Sequence, residues 1–234
     1  MIRIANKRDY KKIPEGCVIY NTTSKPIHDP RVMNIGNIVS PFFIRVPGVI
    51  MDNSGKLLEY KNVIMENLWQ YSKVYDTFTH SGVISDSFFH WFDSGVRLNT
   101  PVRYPMGRGA KPKFSLYFNI NTGKSERLNY IEARKKIYIP KYIEGVLASP
   151  GFDALRDTIL SQLQEGKNIY FLDFDTPGDS ETCIELYTPE YYDHIVNDPT
   201  RKMGHATVLR ELLVVVVGNA PDARGPADGY HANN

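Results

Sequence analysis

Four side chains between residues 66 and 73 have the spacing of one helix face. On a helix over residues 65–75, the positions i, i+3, i+4 and i+7 on this face are Glu66, Trp69, Gln70 and Lys73. The face suits a polar, planar ligand, because an indole can stack, an amide can hydrogen-bond, and a carboxyl and an amine can move protons. In the alternative interpretation, Trp69 belongs to the core and the two charged side chains are solvated neighbours.

Two further carboxylates follow the best strand candidate of the chain, which runs from Lys167 to Phe174. Asp173 and Asp175 alternate with Phe174, so both carboxylates point to the same side of the strand end. They could activate water or bind ribose hydroxyls, or one of them could cap a turn before Thr176-Pro177-Gly178.

A basic loop over residues 103–113 is the third candidate. It is interrupted by glycine and proline, and its cationic residues are Arg103, Arg108, Lys111 and Lys113. Guanidinium groups and free backbone N–H groups suit a pyrophosphate, and the loop could also engage a nucleic-acid strand. The alternative is a solvated basic loop. It has no Gly-Lys-Ser/Thr motif, so an NTPase is excluded.

Composition narrows the class of protein. The 234 residues are 42% hydrophobic and 23% charged, with a formal net charge of +2, which is typical of a globular chain without a general affinity for nucleic acid. The sequence has no run of 18 apolar residues and no apolar signal segment, so we expect neither a membrane span nor secretion. Cys17 and Cys183 lack disulfide or zinc spacing, which favours a cytoplasmic protein with no metal site and no cofactor.

Local patterns predict a mainly α-helical, compact domain with a minor component of short strands. Helices are predicted at about 63–77, from Ser85 or Asp86 onward, after a capping box at Asn129, over 152–163, and at about 189–197 and 203–217. Pro140 should kink or split its helix. Strands are predicted at 17–20, within 38–50, at 56–60 and at 167–174, and 99–125 is predicted to be one long loop.

Several segments, in order, resemble the NADAR family, named for its association with NAD and ADP-ribose. The helix Glu66-Asn67-Leu68-Trp69-Gln70-Tyr71-Ser72-Lys73 is similar to that family's Glu-His-x-aromatic-Gln-x-x-Lys helix. Further similar segments are Asn37 with Pro41-Phe42-Phe43-Ile44, Met106-Gly107-Arg108, Asn129-Tyr130 (Tyr in place of Trp), Leu172-Asp173-Phe174-Asp175, and Arg201 to Gly204 with Leu209. The chain departs from the family where Asp175-Thr176-Pro177-Gly178 replaces a Trp-Gly.

The resemblance implies an N-glycosidase that hydrolyses a ribose–nitrogen bond in a small-molecule nucleotide or an ADP-ribosylated substrate, including ADP-ribose on nucleic-acid bases. The alternative is a module that binds ADP-ribose or NAD without cleaving it. The implied domain division is a lead-in over 1–34, a catalytic domain over 35–217 and a flexible tail over 218–234.

Roles follow from the chemistry of N-glycoside cleavage. Glu66 would be the general acid and base, since burial beside Trp69 raises a carboxyl pKa. Lys73 could donate to ribose or phosphate oxygens, attack an opened sugar aldehyde as an amine, or only form a salt bridge to Glu66 or Asp76. The other predicted substrate-binding residues are Asn37, Trp69, Gln70, Arg103, Arg108, Lys111 and Tyr130. Trp69 and Tyr130 could sandwich a base or be core aromatics, and Asn37 could orient a ligand or hold a turn. His205 is expected to be structural.

Overall fold

The computed structural model describes residues 1–176, 189–201 and 203–218. Its strands are β1 (Ile2–Asn6), β2 (Val18–Asn21), β3 (Val32–Asn34), β4 (Arg45–Met51), β5 (Leu57–Ile64), β6 (Lys73–Val74), β7 (Thr79–His80), β8 (Val83–Ile84), β9 (Phe114–Asn119), β10 (Lys124–Leu128) and β11 (Ile169–Asp173). Its α-helices are α1 (Gly36–Val39), α2 (Met65–Tyr71), α3 (Asp86–Val96), α4 (Tyr130–Ala133), α5 (Ile139–Leu147), α6 (Phe152–Gln164), α7 (Pro189–Asn197) and α8 (His205–Gly218).

The prediction of a mainly α-helical fold is wrong. The fold is mixed α/β: of the described residues, 40% are helical and 24% are in strands, which form four sheets. Strands β2, β4, β5 and β11 overlap predicted strand segments. The other strands are short and several pair with partners far away in sequence, so their hydrophobic patterns were too brief to identify them one at a time. The predicted tail beyond Gly218 and Cys183 lie outside the described residues.

A four-stranded parallel sheet has the order β1-β11-β2-β3. Three of its strands come from the first 34 residues, and the fourth, β11, ends at Asp173. All five residues of β11 are buried, as expected for a central strand covered on both faces. The register pairs Asn6 with Asp173 and Leu172 with Asn21. The carboxyl ends of these strands therefore meet at one edge, where Asp173 lies beside the Thr22–Lys25 loop.

The smaller sheets are antiparallel. Strands β4 and β5 form the hairpin predicted from Asp52-Asn53-Ser54-Gly55, in which Gly55 has a φ of 83°. Strand β9 pairs with both β10 and β6. The prediction of one loop over 99–125 is therefore wrong, because Phe114–Asn119 is a strand whose neighbours supply its hydrogen bonds.

Helix α2 is shorter than the predicted 63–77. All seven of its residues are buried, which makes it a central helix of the core. It ends at Tyr71 because the Ser72 carbonyl accepts a hydrogen bond from the Leu116 amide (N···O 2.8 Å) and Lys73 pairs with Ser115 of β9. Lys73 thus leaves the helix and begins β6.

The remaining helices follow their predicted signals. Ser85 precedes α3, and Asn129 and Glu132 form the expected capping box before α4. The interruption expected at Pro140 takes the form of a π-helical turn over Arg134–Tyr138, in which the Ile139 amide donates to the Arg134 carbonyl. No helix in the described part of the chain combines the length and the apolar composition needed to cross a membrane.

Candidate active site

A cavity of about 520 Å³ opens at the carboxyl edge of the parallel sheet. Its wall comes from the Thr23–Lys25 loop, Ser40–Phe42, α2, the basic loop, the Tyr130–Tyr138 region, the end of β11 and the start of α8. Eight of the eleven predicted site residues line it: Glu66, Trp69, Gln70, Arg103, Arg108, Tyr130, Asp173 and Asp175. The sheet edge and the buried helix α2 together position these groups, which come from distant parts of the sequence.

A chain of hydrogen bonds runs along one side of α2 and out of its end. The Lys73 Nζ donates to Gln70 Oε1 (2.7 Å), and Gln70 Nε2 donates to Glu66 Oε1 (2.9 Å). Lys73 lies behind this wall and is not one of the lining residues, with its ammonium 4.6 Å from the centre of the Trp69 ring. The second carboxyl oxygen of Glu66 has no hydrogen-bond partner among the described residues, although Glu66 lines the cavity.

The surroundings of Glu66 shift its carboxyl group toward the protonated form. Burial raises the pKa of Glu66, and its hydrogen bond from Gln70 and the charges of Lys73, Arg103 and His205 only partly oppose the shift. Burial lowers the pKa of Lys73 to about 8, and Arg103 adds to this effect while Glu66 opposes it. A carboxyl group whose pKa is raised by burial keeps its proton more readily, which suits a general acid.

Trp69 has little surface on the cavity. It is 9% exposed, its ring centre lies 5.1 Å from that of Tyr138 in an edge-on arrangement, and Lys73 covers its face. The Tyr130 ring centre is 6.4 Å away and its plane is inclined by 45°. The predicted sandwich of a base between Trp69 and Tyr130 is therefore wrong, because two inclined rings at this separation leave no parallel gap.

The basic loop enters the cavity at Arg103, Tyr104 and Arg108. Arg103 forms an ion pair with Asp175, and both guanidinium groups lie near the Tyr104 ring, at 5.6 Å for Arg103 and 5.7 Å for Arg108. A fully buried Asn67 on α2 holds the start of this loop. Its side chain accepts from the Val102 amide (2.8 Å) and donates to the Thr100 carbonyl (3.0 Å).

His205, for which the sequence analysis expected only a structural role, is one of the residues that line the cavity. Its Nδ1 lies 3.1 Å from Asp173 Oδ2 and its Nε2 lies 2.9 Å from the Thr22 carbonyl oxygen. Burial alone would lower the pKa of His205, but the Asp173 carboxylate and the Thr22 carbonyl outweigh it and raise that pKa. Burial would raise the pKa of Asp173, but His205 and the Ala206 and Phe174 amides outweigh it and hold that pKa below its ordinary value.

Two facts define the role of Asp173. It accepts from the Ala206 amide (3.0 Å) at the start of α8 and from the Phe174 amide (2.7 Å), so it caps that helix as well as pairing with His205. A Cβ added to Gly204 would lie 2.2 Å from Asp173 Oδ2 and 2.6 Å from the Asp175 carbonyl oxygen. The backbone at Gly204 can approach the carboxylate this closely only without a side chain.

We expect Gly204→Ala to destabilise the fold at this junction. The clash with Asp173 and Asp175 cannot be relieved by a flexible side-chain end, so the free energy of unfolding should fall by about 3 kcal/mol. Gly123→Ala is the control: Gly123 has a φ of 65° but open space around a Cβ, and should lose only about 1 kcal/mol. Urea unfolding of both variants measures the difference, and equal losses would contradict the close approach.

Two predicted substrate-binding residues lie away from the cavity. Asn37 is exposed on α1, and Lys111 is exposed beyond Arg108; neither lines the cavity. Lys113 pairs with Asp76 (2.7 Å), and Lys73 donates instead to Gln70. Arg134 is a lining residue that the sequence analysis missed, and its i,i+4 spacing from Tyr130 was the one available signal.

The described residues hold no cluster of three or more histidine, cysteine, aspartate or glutamate side chains that could bind a metal ion. Comparisons of this chain with protein-family models, with curated proteins and with solved structures find no match. What the cavity does must therefore be inferred from its own chemistry.

Proposed function

We propose that this protein is a cytoplasmic hydrolase of N-glycosidic bonds, which cleaves a ribose–nitrogen bond in an ADP-ribosyl or nucleotide-type substrate. The observation that carries the proposal is Glu66, a buried carboxyl of raised pKa on the wall of a cavity that also presents aromatic rings and guanidinium groups. Departure of a base from ribose needs a proton on the leaving nitrogen and negative charge near the developing oxocarbenium ion.

In the proposed reaction, Glu66 gives its proton to the leaving nitrogen as the carbon–nitrogen bond breaks. The resulting carboxylate then accepts a proton from the water that adds to the anomeric carbon, which restores the acid form. Asp173 and Asp175 provide negative charge at the same wall. Both are already engaged, by His205 and by Arg103, so we give them electrostatic and positioning roles.

The cationic side of the cavity fits the phosphate groups of such a substrate. Lys25, Arg103 and Arg108 line it, and guanidinium groups can bind phosphate oxygens in pairs. Together with Arg134 these cations number four, against the three carboxyl groups of Glu66, Asp173 and Asp175 on the same lining. The loop continues to the exposed Lys111, which could contact a nucleic-acid strand. We therefore propose, more specifically, that the substrate is ADP-ribose attached to a nucleic-acid base.

The direct test is incubation of the purified protein with NAD, ADP-ribose, ADP-ribosylated DNA and ribosylated purine and pyrimidine intermediates, read by mass spectrometry. We expect a free base or amine and a free sugar phosphate from at least one of them, with no product from Glu66→Gln. Tight binding of ADP-ribose or NAD without any product would instead identify a binding module, and would overturn the proposal.

A comparison of Arg108 with Lys111 distinguishes a cation that contacts the ligand from a cation on the surface of the same loop. We expect Arg108→Ala to raise KM about tenfold with little change in kcat, because it removes a charge-assisted contact made equally in the ground and transition states. Lys111→Ala removes the same charge outside the cavity and should change KM less than about twofold. Steady-state kinetics of the two variants, on whichever substrate the mass-spectrometric screen identifies, measures both KM values. Equal effects would contradict a phosphate contact at Arg108.

A further inference from the structure

Arg134 is a buried cation whose partners are unusual. It is 1% exposed, and its Nη1 donates to the carbonyls of Ile195 (3.0 Å) and Asp198 (2.9 Å) at the end of α7. Its Nη2 donates to the Arg201 carbonyl (2.5 Å) and to the Tyr130 hydroxyl (3.0 Å). Among the described residues no carboxylate pairs with it, so its charge is balanced by backbone dipoles and by a ring.

The backbone contacts explain how the charge is tolerated. The last carbonyls of a helix lack intrahelical partners and carry partial negative charge, so the end of α7 is a favourable place for a guanidinium. Lysine would offer one point charge in place of a planar fork of five donors. The fork therefore fixes the plane of the Arg134 guanidinium against the Tyr130 ring.

The guanidinium group of Arg134 lies over one face of the Tyr130 ring. The guanidinium carbon of Arg134 lies 4.4 Å from the centre of the Tyr130 ring, while the ring stays 47% exposed and lines the cavity. Trp69 is inclined to it by 45° and cannot complete a parallel pair. A planar ligand can thus stack on Tyr130 alone, with the cation behind the ring.

We infer that Arg134 is a positioning residue that holds Tyr130 as a one-sided stacking surface for the heteroaromatic base of the substrate. This inference rests on the proposed function for the nature of the ligand, and on the Arg134–Tyr130 geometry for its mechanism. It assigns base recognition to the mouth of the cavity, at Tyr130, and leaves phosphate recognition to the basic loop.

The test compares two probes that differ only in the base, AMP and ribose 5-phosphate, by isothermal titration calorimetry. The ratio of their Kd values measures what the base contributes. Tyr130→Leu should lower this preference for AMP about tenfold, the usual contribution of one base–aromatic stack. Tyr104→Leu is the matched control, since Tyr104 is 49% exposed and lines the same cavity but lies against Arg103 and Arg108. It should affect the two phosphate-bearing probes alike and leave the ratio of their Kd values unchanged.

Arg134→Lys should lower the preference for AMP by a similar factor while leaving the affinity for ribose 5-phosphate within about twofold. Combined with Tyr130→Leu it should add nothing, whereas in a Tyr104→Leu background it should lower the preference by its full factor. Tyr130→Phe removes only the hydrogen bond between the two side chains and should cost about threefold, which tests the link even if Arg134→Lys fails to fold.

Three results would overturn the inference: an unchanged ratio in Tyr130→Phe, equal losses for both probes in Arg134→Lys, or additive effects of Arg134→Lys and Tyr130→Leu. Base-dependent binding without any hydrolysis would reject the proposed function and keep the inference. Hydrolysis with an unchanged ratio of Kd values in the variants would keep the proposed function and reject the inference. A wild-type protein that binds neither AMP nor ribose 5-phosphate would reject both the function and the inference.

Discussion

Glu66→Gln is expected to lower kcat by about 10²- to 10⁴-fold, which is the contribution of a positioned general acid. The change keeps the size of the side chain, and a glutamine carbonyl can still accept the hydrogen bond that Gln70 Nε2 gives to Glu66 Oε1. KM should therefore change little, because the proton is transferred in the transition state while the ground-state contacts are kept. Initial rates on the substrate found in the product screen measure both constants.

The stability of the same variant gives an independent readout. Because the folded state raises the pKa of Glu66 above the usual 4.5, the wild type binds more protons folded than unfolded above that pH, and this group makes it less stable as pH rises. Glu66→Gln lacks this loss and should be the more stable protein at pH 8. Glu59→Gln, a change at an exposed carboxyl, should alter neither rate nor stability. If Glu66→Gln keeps the wild-type rate, Glu66 is not the general acid.

The sequence signals that succeeded are local. A turn such as Asp52 to Gly55, the capping box of Asn129 and Glu132, and the apolar stripe of Phe152, Leu155 and Ile159 each involve a few neighbouring residues. Their physical causes, positive φ, satisfied helix N–H groups and a buried helix face, act within one or two turns of chain. Sequence reasoning therefore located these elements well.

The parallel sheet was missed because its pairing is not local. Strand β1 finds its partner β11 at the opposite end of the described core, and neither strand exceeds five residues. The predicted helix over 63–77 failed for the same reason, since the pairing of Lys73 with Ser115 competes with continuation of the helix. Only the folded chain shows which backbone groups satisfy one another.

The candidate site shows the same division. The side chains of Glu66, Trp69 and Gln70 were correctly grouped, because one helix turn relates them. The pair of Asp173 and His205 was not, because it forms where the end of a strand meets the start of a distant helix. A histidine that follows a glycine at a helix start carries no sign of which carboxylate it will meet.

Lys73→Met is the second change with a large expected effect, a fall in kcat of about 10²-fold. In the wild type the Lys73 ammonium donates to Gln70 Oε1, which turns the Gln70 amide group toward Glu66 and leaves the other Glu66 oxygen to the cavity. Without the ammonium, the Gln70 amide is free to rotate. Loss of the nearby positive charge also raises the pKa of Glu66, so the alkaline decline of kcat should move to higher pH.

Lys73 gives the stability of the wild type a pH dependence opposite in sign to that of Glu66. The folded state lowers the pKa of Lys73 to about 8 from 10.5, so the unfolded chain binds more protons between these pH values and the wild type gains stability as pH rises through them. This gain should disappear in Lys73→Met, which carries no charge to bury. Urea unfolding at pH 7 and pH 10 measures the difference between the two proteins.

The competing role for Lys73, attack of its amine on an opened sugar aldehyde, predicts a different result. A Schiff base would be trapped on the wild-type protein by mild borohydride, and Lys73→Arg would lose all activity because a guanidinium cannot form one. If Lys73 acts through Gln70, no adduct should be trapped and Lys73→Arg should keep part of the rate, since arginine still donates a hydrogen bond. The position of Lys73 behind the cavity wall favours the second result, and a trapped sugar adduct would reverse the assignment.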